Sequence, residues 1–267
     1  VEILQILVLA IVQGVTEFLP ISSSGHLVLV PLLTGWPDQG LMLDVATHVG
    51  SLLAVIAYFR TDLIEILQGV FKIGTETEVK EARLLFRHLV IASVPAILAG
   101  GALFYILQTD MRSLLMIAST TLIFGVLLGI SDKFCKDKKT VSGMSNWDAL
   151  VIGLFQILAL LPGTSRSGVT MTAARFCGVD RKGAARFSML LSIPVILGAG
   201  VVLTFDLLKA ENVDLGLDAL ITGVVSFGVA YLVIGLLMNW IGRIGFMPFV
   251  IYRVVLACGL FGFYLLT

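Results

Sequence analysis

Two short polar islands, each set inside a long apolar run, constrain this chain more than any other feature. The first is Gln13-Gly14-Val15-Thr16-Glu17-Phe18-Leu19-Pro20-Ile21-Ser22-Ser23-Ser24-Gly25-His26, with Ile3 to Val12 before it and Leu27 to Leu33 after it. The second is Leu161-Pro162-Gly163-Thr164-Ser165-Arg166-Ser167-Gly168. A carboxylate, an imidazole, a guanidinium and several hydroxyls therefore lie in sequence that otherwise reads as membrane. An ionisable group at the centre of a membrane helix costs at least about 2.5–3.5 kcal/mol, so such groups are functional candidates by default.

The surrounding sequence leaves little room for a soluble fold. Of 267 residues, 58% are hydrophobic and 13% charged, and the mean hydropathy is +1.01. A soluble domain needs more charge to cover its surface. Net charge is zero, which gives no case for nucleic-acid binding. Cys135, Cys177 and Cys258 have no metal-ligand or disulfide spacing and read as small packing residues. Val1 to Val12 lacks a basic start and a cleavage site, so it is not expected to be a removable signal peptide.

Six apolar runs suit a bilayer span: 42–60, 86–107, 113–131, 185–205, 217–238 and 246–266, each near the ~20 residues a hydrocarbon core requires. Regions 1–33 and 147–177 are apolar but broken at Pro20–Gly25 and Pro162–Gly168. Proline ends a helix, and the serines after it can cap a new one. Each region thus reads as a re-entrant hairpin, its turn sheltered by protein or a water-filled cavity. The expected fold is an all-α polytopic membrane protein with six spanning helices and two re-entrant helical hairpins. Pro20 and Pro162 set a period of roughly 142 residues. Residues 1–131 and 147–267 then form two repeats in one membrane domain. Three spans per repeat invert the second, which places a site where the broken helices meet near the midplane.

Loop charge gives the expected orientation. The side away from the N-terminus receives Arg60, Lys72, Lys80, Arg83, Arg87, Lys133, Lys136, Lys138, Lys139, Arg175, Arg181, Lys182, Arg186 and Arg243; the other receives Arg112 and Lys209. The positive-inside rule makes the first side cytoplasmic and both termini external. The first hairpin then opens outward. Residues 61–85 read as a solvated cytoplasmic excursion, and Gly125 with Gly129 as a helix contact or a dimer seam.

The islands carry chemistry. Ser22-Ser23-Ser24 precedes a helix starting near Gly25, and Thr164-Ser165 one starting near Ser167. Helix N-termini offer unpaired N–H groups and about half a positive charge, an anion site. The planar guanidinium of Arg166 suits phosphate oxygens. A serine nucleophile needs a base. His26 lies one helical turn from Ser23, and Glu17 arrives from the other arm; either could serve. Gln13 shares a helix face with Glu17, and the pair could hold a divalent cation. Ser22, Ser24 and Ser167 are candidates for phosphate contact or for packing. Asp44, His48 and Ser51 share one face of the first span and are expected to line the cavity. Arg253 is a further buried charge whose partner the sequence does not reveal.

Glu17-Phe18-Leu19-Pro20-Ile21-Ser22-Ser23-Ser24-Gly25-His26 with Pro162-Gly163-Thr164-Ser165-Arg166-Ser167-Gly168 resembles undecaprenyl-diphosphate phosphatases of the bacitracin-resistance type, over nearly the whole chain. The resemblance implies a bacterial plasma-membrane enzyme that releases phosphate from undecaprenyl diphosphate, with its site open to the outer face and a homodimeric assembly. It implies Ser23 as nucleophile, His26 as the family histidine, Glu17 as the second acid of a Glu/Gln-x-x-x-Glu pattern, Arg166 as phosphate ligand, and Ser165 and Thr170 as neighbouring phosphate contacts. It also implies dependence on Mg²⁺ or Ca²⁺. Gln13 stands where many members have glutamate, which removes one negative charge from any metal site. The rival expectation is a transporter or lipid-phosphate flippase, since inverted repeats with broken helices are also transporter architecture.

Overall fold

The computed structural model describes residues 2–37, 40–106, 113–209 and 216–266, the side chains at 41, 103–106 and 202–209 excepted. The α-helices among them are α1 (Ile3–Thr16), α2 (Ser23–Thr34), α3 (Gly40–Tyr58), α4 (Arg60–Val70), α5 (Glu76–Ile106), α6 (Leu114–Phe134), α7 (Asn146–Ile157), α8 (Arg166–Phe176), α9 (Arg181–Lys209), α10 (Leu217–Ile244) and α11 (Met247–Leu266). Arg112 lies outside the described residues, as does the side chain of Lys209.

Five of these helices are long and apolar enough to cross a bilayer: α5, α6, α9, α10 and α11. The expected span at 42–60 is α3, and the chain bends by 71° at its end, near Phe59, into α4. With that pair counted as one span, the number is up to six. Leucine, isoleucine, valine and phenylalanine are exposed along the outer faces of these helices. Surfaces of that kind belong in lipid; the chain is a polytopic membrane protein. Residues 61–85, expected as a solvated loop, are largely helical. α4 and the start of α5 fold against each other, with Arg83 Nε donating to the Gly69 carbonyl at 2.8 Å.

The short helices α1–α2 and α7–α8 stand where the two hairpins are expected. Each pair is broken by a proline-containing turn. α8 is the most enclosed element: Ser167 through Arg175 are all buried, packed among α6, α7 and α9. α1 and α3 both pack on α10, and α11 packs on α6. Helices in lipid lack a hydrophobic drive to associate, so close backbone approach at small residues does that work. Gly50 lies so near the Gly223 carbonyl that a Cβ would overlap it. Gly125 and Gly129 form an internal contact: Cβ atoms there would meet Arg253 Cβ at 2.9 Å and Val250 Cγ1 at 3.0 Å. That seam is filled by the chain's own α11.

One end of the bundle is fastened by ion pairs. Asp132 accepts from Arg181 Nε at 2.6 Å, and Arg175, fully buried, pairs with Asp137 and donates to the Cys135 carbonyl. Ser145 and Asp148 form a capping box on α7, and Lys139 Nζ reaches Asp148 at 2.6 Å. Burial pushes the Asp148 carboxyl up, but the bonds from Lys139 and Ser145 outweigh it and hold the group below its usual range. Burial, with Asp148 beside it, pushes the Cys177 thiol up to about 11.

Candidate active site

α1 ends where Pro20 removes a donor, and the chain turns before α2. Ser22 caps α2 in a left-handed conformation, φ 78°, which costs an L-residue on the order of 1 kcal/mol. Local bonds hold it there. Its hydroxyl accepts from Gly25 N at 3.3 Å, and its carbonyl accepts from His26 Nδ1 at 2.6 Å. The second turn repeats the device. Ser165 caps α8 with φ 71°, and its hydroxyl accepts from Gly168 N at 3.1 Å. Ser22 and Ser24 hydroxyls lie 3.3 Å apart, those of Ser165 and Ser167 3.1 Å. The helices thus begin two residues earlier at Ser23 and one residue earlier at Arg166 than the sequence suggests.

The two turns meet at Glu17. Its Oε2 accepts from Ser23 Oγ at 2.7 Å and from Gln13 Nε2 at 3.0 Å. Its Oε1 accepts from Arg166 Nη2 at 3.3 Å. Arg166 Nη1 is fixed by the Ser188 carbonyl at 3.2 Å, and Ser167 Oγ reaches across to the Leu19 carbonyl at 2.8 Å. A hydroxyl that donates to a carboxylate has a proton acceptor in place, the arrangement a serine nucleophile would require. The guanidinium on the same carboxylate stands beside the point where an anion would arrive.

Arg253, on α11, joins both turns from behind. It is fully buried and donates to the carbonyls of Pro20, Thr120, Thr121, Gly163 and Thr164. Backbone oxygens, rather than an acid, satisfy it. Thr120 Oγ1 adds a bond to the Pro162 carbonyl at 2.5 Å, and Thr121 Oγ1 one to Gly163 at 3.3 Å.

The remaining expected residues are placed differently. The hydrogen bonds of the His26 ring go elsewhere than Ser23. Its Nδ1 bonds the Ser22 carbonyl and its Nε2 meets the Tyr252 hydroxyl at 2.6 Å. Of the two candidate bases, Glu17 is the one hydrogen-bonded to Ser23. Thr170 is buried, its hydroxyl 2.6 Å from Ser188 Oγ and bonded to the carbonyls of Arg166 and Ser167. Ser167 and Thr170 are therefore engaged with protein, and Ser24 is exposed at the start of α2. His48, expected to line the cavity, is half-buried on α3. Its Nδ1 bonds the Asp44 carbonyl, and Ser51 bonds the His48 carbonyl. Sequence reading missed Tyr252, Thr120, Thr121 and Ser188, none of which lies in a polar island.

A divalent cation fits these residues poorly. Gln13 Oε1 is buried with no partner among the described residues, one available oxygen beside Glu17. Glu17 itself is already ion-paired with Arg166, whose positive charge opposes a second cation. Mg²⁺ and Ca²⁺ take six or more oxygen ligands. Among the described residues no group of three His, Cys, Asp or Glu side chains is placed to hold an ion.

Residues 6–259 match the family described as Bacitracin resistance protein BacA. An undecaprenyl-diphosphatase of Alteromonas mediterranea is 48% identical over 259 residues, covering 97% of each chain. That of Erythrobacter litoralis is 45% identical over 283 residues, 98% of this chain and 99% of the other. That of Alcanivorax borkumensis is 48% identical over 257 residues, 96% and 97%.

Proposed function

Since the chain belongs to the BacA family of bacitracin resistance proteins, we propose that it is an integral membrane phosphatase acting on undecaprenyl diphosphate. The products are undecaprenyl phosphate and inorganic phosphate. This reaction returns the lipid carrier to peptidoglycan synthesis and underlies bacitracin resistance. One observation carries the reading at atomic level: the Glu17 carboxylate takes a hydrogen bond from Ser23 and an ion pair from Arg166, drawn from opposite hairpins.

In this reading Arg166 and the N–H groups at the starts of α2 and α8 hold the phosphates. Glu17 accepts the Ser23 proton as Oγ attacks the terminal phosphorus, and the bond from phosphorus to the bridging oxygen breaks. Undecaprenyl phosphate leaves. Water then hydrolyses the phosphoserine. Charge on the equatorial oxygens is met by fixed donors, usually the largest catalytic term. His26 braces the turn, and Ser22, Ser24 and Ser165 shape the cradle. Mg²⁺ or Ca²⁺ belongs here to the lipid diphosphate, and no step runs through a protein-bound ion. The repeated serine caps at Ser22 and Ser165 support two inverted repeats, 1–131 and 147–267, with six spans and two re-entrant hairpins. The loop charges support a plasma-membrane orientation with external termini and a site open outward. A homodimer completes the proposal.

The test is phosphate release by purified protein in detergent given undecaprenyl diphosphate, beside Ser23→Ala and Arg166→Ala. Release by the parent with folded but nearly silent variants supports the assignment. A silent parent, with divalent cation supplied, returns the flippase reading and calls for flux assays in sealed vesicles. Acid-quenched turnover that yields no phosphoserine at Ser23 would replace covalent transfer with direct attack by water.

A further inference from the structure

We propose that Tyr252 is a positioning residue for the phosphatase centre: its hydroxyl fixes His26 in the one tautomer that can brace the strained turn presenting Ser23. The inference rests on the function assigned above.

The Ser22 carbonyl can only accept, so His26 Nδ1, 2.6 Å away, carries the proton. In the neutral ring Nε2 is then an acceptor, and the Tyr252 hydroxyl 2.6 Å away is its donor. A hydrogen bond on one ring nitrogen sets what the other can do. The rings also lie nearly parallel, 12° apart with centroids at 5.7 Å. A three-link chain results: Tyr252 O–H to His26 Nε2, His26 Nδ1–H to Ser22 O, and Ser22 at φ 78° next to Ser23. Ser22 is one of three non-glycine residues with positive φ among those described. Such a conformation persists only where its surroundings over-determine it.

The second turn underlines the point. Ser165 adopts the same strained conformation, but its helix carries Val169 where α2 carries His26. There the bracing comes from buried packing, since Ser165, Val169 and their neighbours are enclosed. The first turn is more open: Ser24 is exposed and Ser23 half-buried. It needs a side chain to do what enclosure does in the second. Tyr252, itself 42% exposed, supplies that brace from the far end of the chain and is adjacent to Arg253, which holds both turns from behind. α11 thus fixes the turn from two sides with consecutive residues.

The chain has three histidines, His26, His48 and His88. Selective ¹⁵N-histidine labelling therefore reads the tautomer directly, with His26→Asn identifying the resonances. The test compares parent and Tyr252→Phe for this signal and for kcat and KM on undecaprenyl diphosphate. Phenylalanine keeps the ring and removes only the hydroxyl. The expected result is a Nδ1–H signal in the parent and a mixture of both tautomers in Tyr252→Phe. With it goes a fall of about tenfold in kcat, the scale of one lost hydrogen bond, and KM within about twofold. Tyr252→Phe with an unchanged tautomer, or a changed tautomer at full kcat, overturns the proposal. Tyr252→Leu separates ring packing from the hydroxyl: equal activity in the Phe and parent proteins with loss only in Leu assigns Tyr252 to packing and also overturns it. A parent that releases no phosphate marks failure of the underlying function instead, since the variants then have no activity to lose.

Discussion

Ser23 and Arg166 occupy the same station in two different hairpins. Each is the first residue of its helix, each follows a serine cap in the left-handed region, and each reaches Glu17, one at Oε2 and the other at Oε1. One backbone device is thus used twice, once to aim a hydroxyl and once to aim a guanidinium. A single carboxylate between them sets their separation before any ligand arrives, and preorganisation of this kind is where electrostatic catalysis gains most.

Glu17→Gln keeps the size of the side chain and removes both the base and the charge that holds Arg166. Its kcat is expected to fall by about 10²–10⁴-fold, the range of a lost general base. Groups acting as a unit are not additive. The Ser23→Ala, Glu17→Gln double variant should therefore be no slower than the slower single variant. Steady-state rates of all three decide this; a multiplied loss means that the two residues act separately.

Arg253→Lys keeps the charge and loses the fork. An ammonium has three donors for the five carbonyls that Arg253 now serves. Two carbonyls that lose this donor give up a net of about 0.5–1.5 kcal/mol each. The detergent melting temperature should drop, and phosphate release should fall with it although no residue touching Glu17 has changed. A variant with parental stability and rate would deny Arg253 its role in joining the turns.

Asp148 gives a pH signature. Its carboxyl is lower in the folded protein than in the unfolded chain because Lys139 and Ser145 together outweigh the effect of burial. The folded state therefore binds fewer protons as pH falls, and the contribution to stability, complete above about pH 4, is lost as pH drops through the folded value. Asp148→Asn should melt lower than the parent at neutral pH, with the gap closing in acid. A gap independent of pH would mean that the carboxylate contributes only its shape.

Cys177 should resist alkylation in the folded protein. Its thiol is pushed up to about 11, and the reactive species is the thiolate. A water-soluble maleimide at pH 8 should label Cys177 slowly in the folded, detergent-solubilised protein and rapidly after denaturation. Cys258, exposed on the spanning helix α11, should be shielded by detergent until then. Mass spectrometry of the labelled peptides follows both sites, and labelling of Cys177 at the denatured rate in the folded protein would contradict the burial assigned to it.

Much of this site was legible in the sequence because strain has a local signature. Pro20 and Pro162 mark the breaks, the serines after them mark the caps, and Glu17 and Arg166 are conspicuous as charges within apolar runs. The contacts between helices were not legible. In a membrane protein the positions that meet lipid and those that meet another helix are equally apolar, so no periodicity tells which face of α11 turns inward. His26 and Tyr252 are 226 positions apart, and Arg253 is satisfied by carbonyls, which every residue possesses. The bend near Phe59 also escaped, because no proline or glycine marks it and the polar Arg60, Thr61 and Asp62 that follow read as the start of a loop. The two readings of Gly125 and Gly129 were separated only when α11 was found against them.

Arg253 also sets a schedule. A chain is synthesised from its N-terminus, and early segments organise first. Glu17, Ser23 and Arg166 all enter the membrane before α11 is made, yet the carbonyls of both their turns are held by a residue on that helix. The nascent protein therefore carries these groups in two unbraced turns until α11 is inserted and docks, so assembly of the centre waits on a helix made long after the residues it serves.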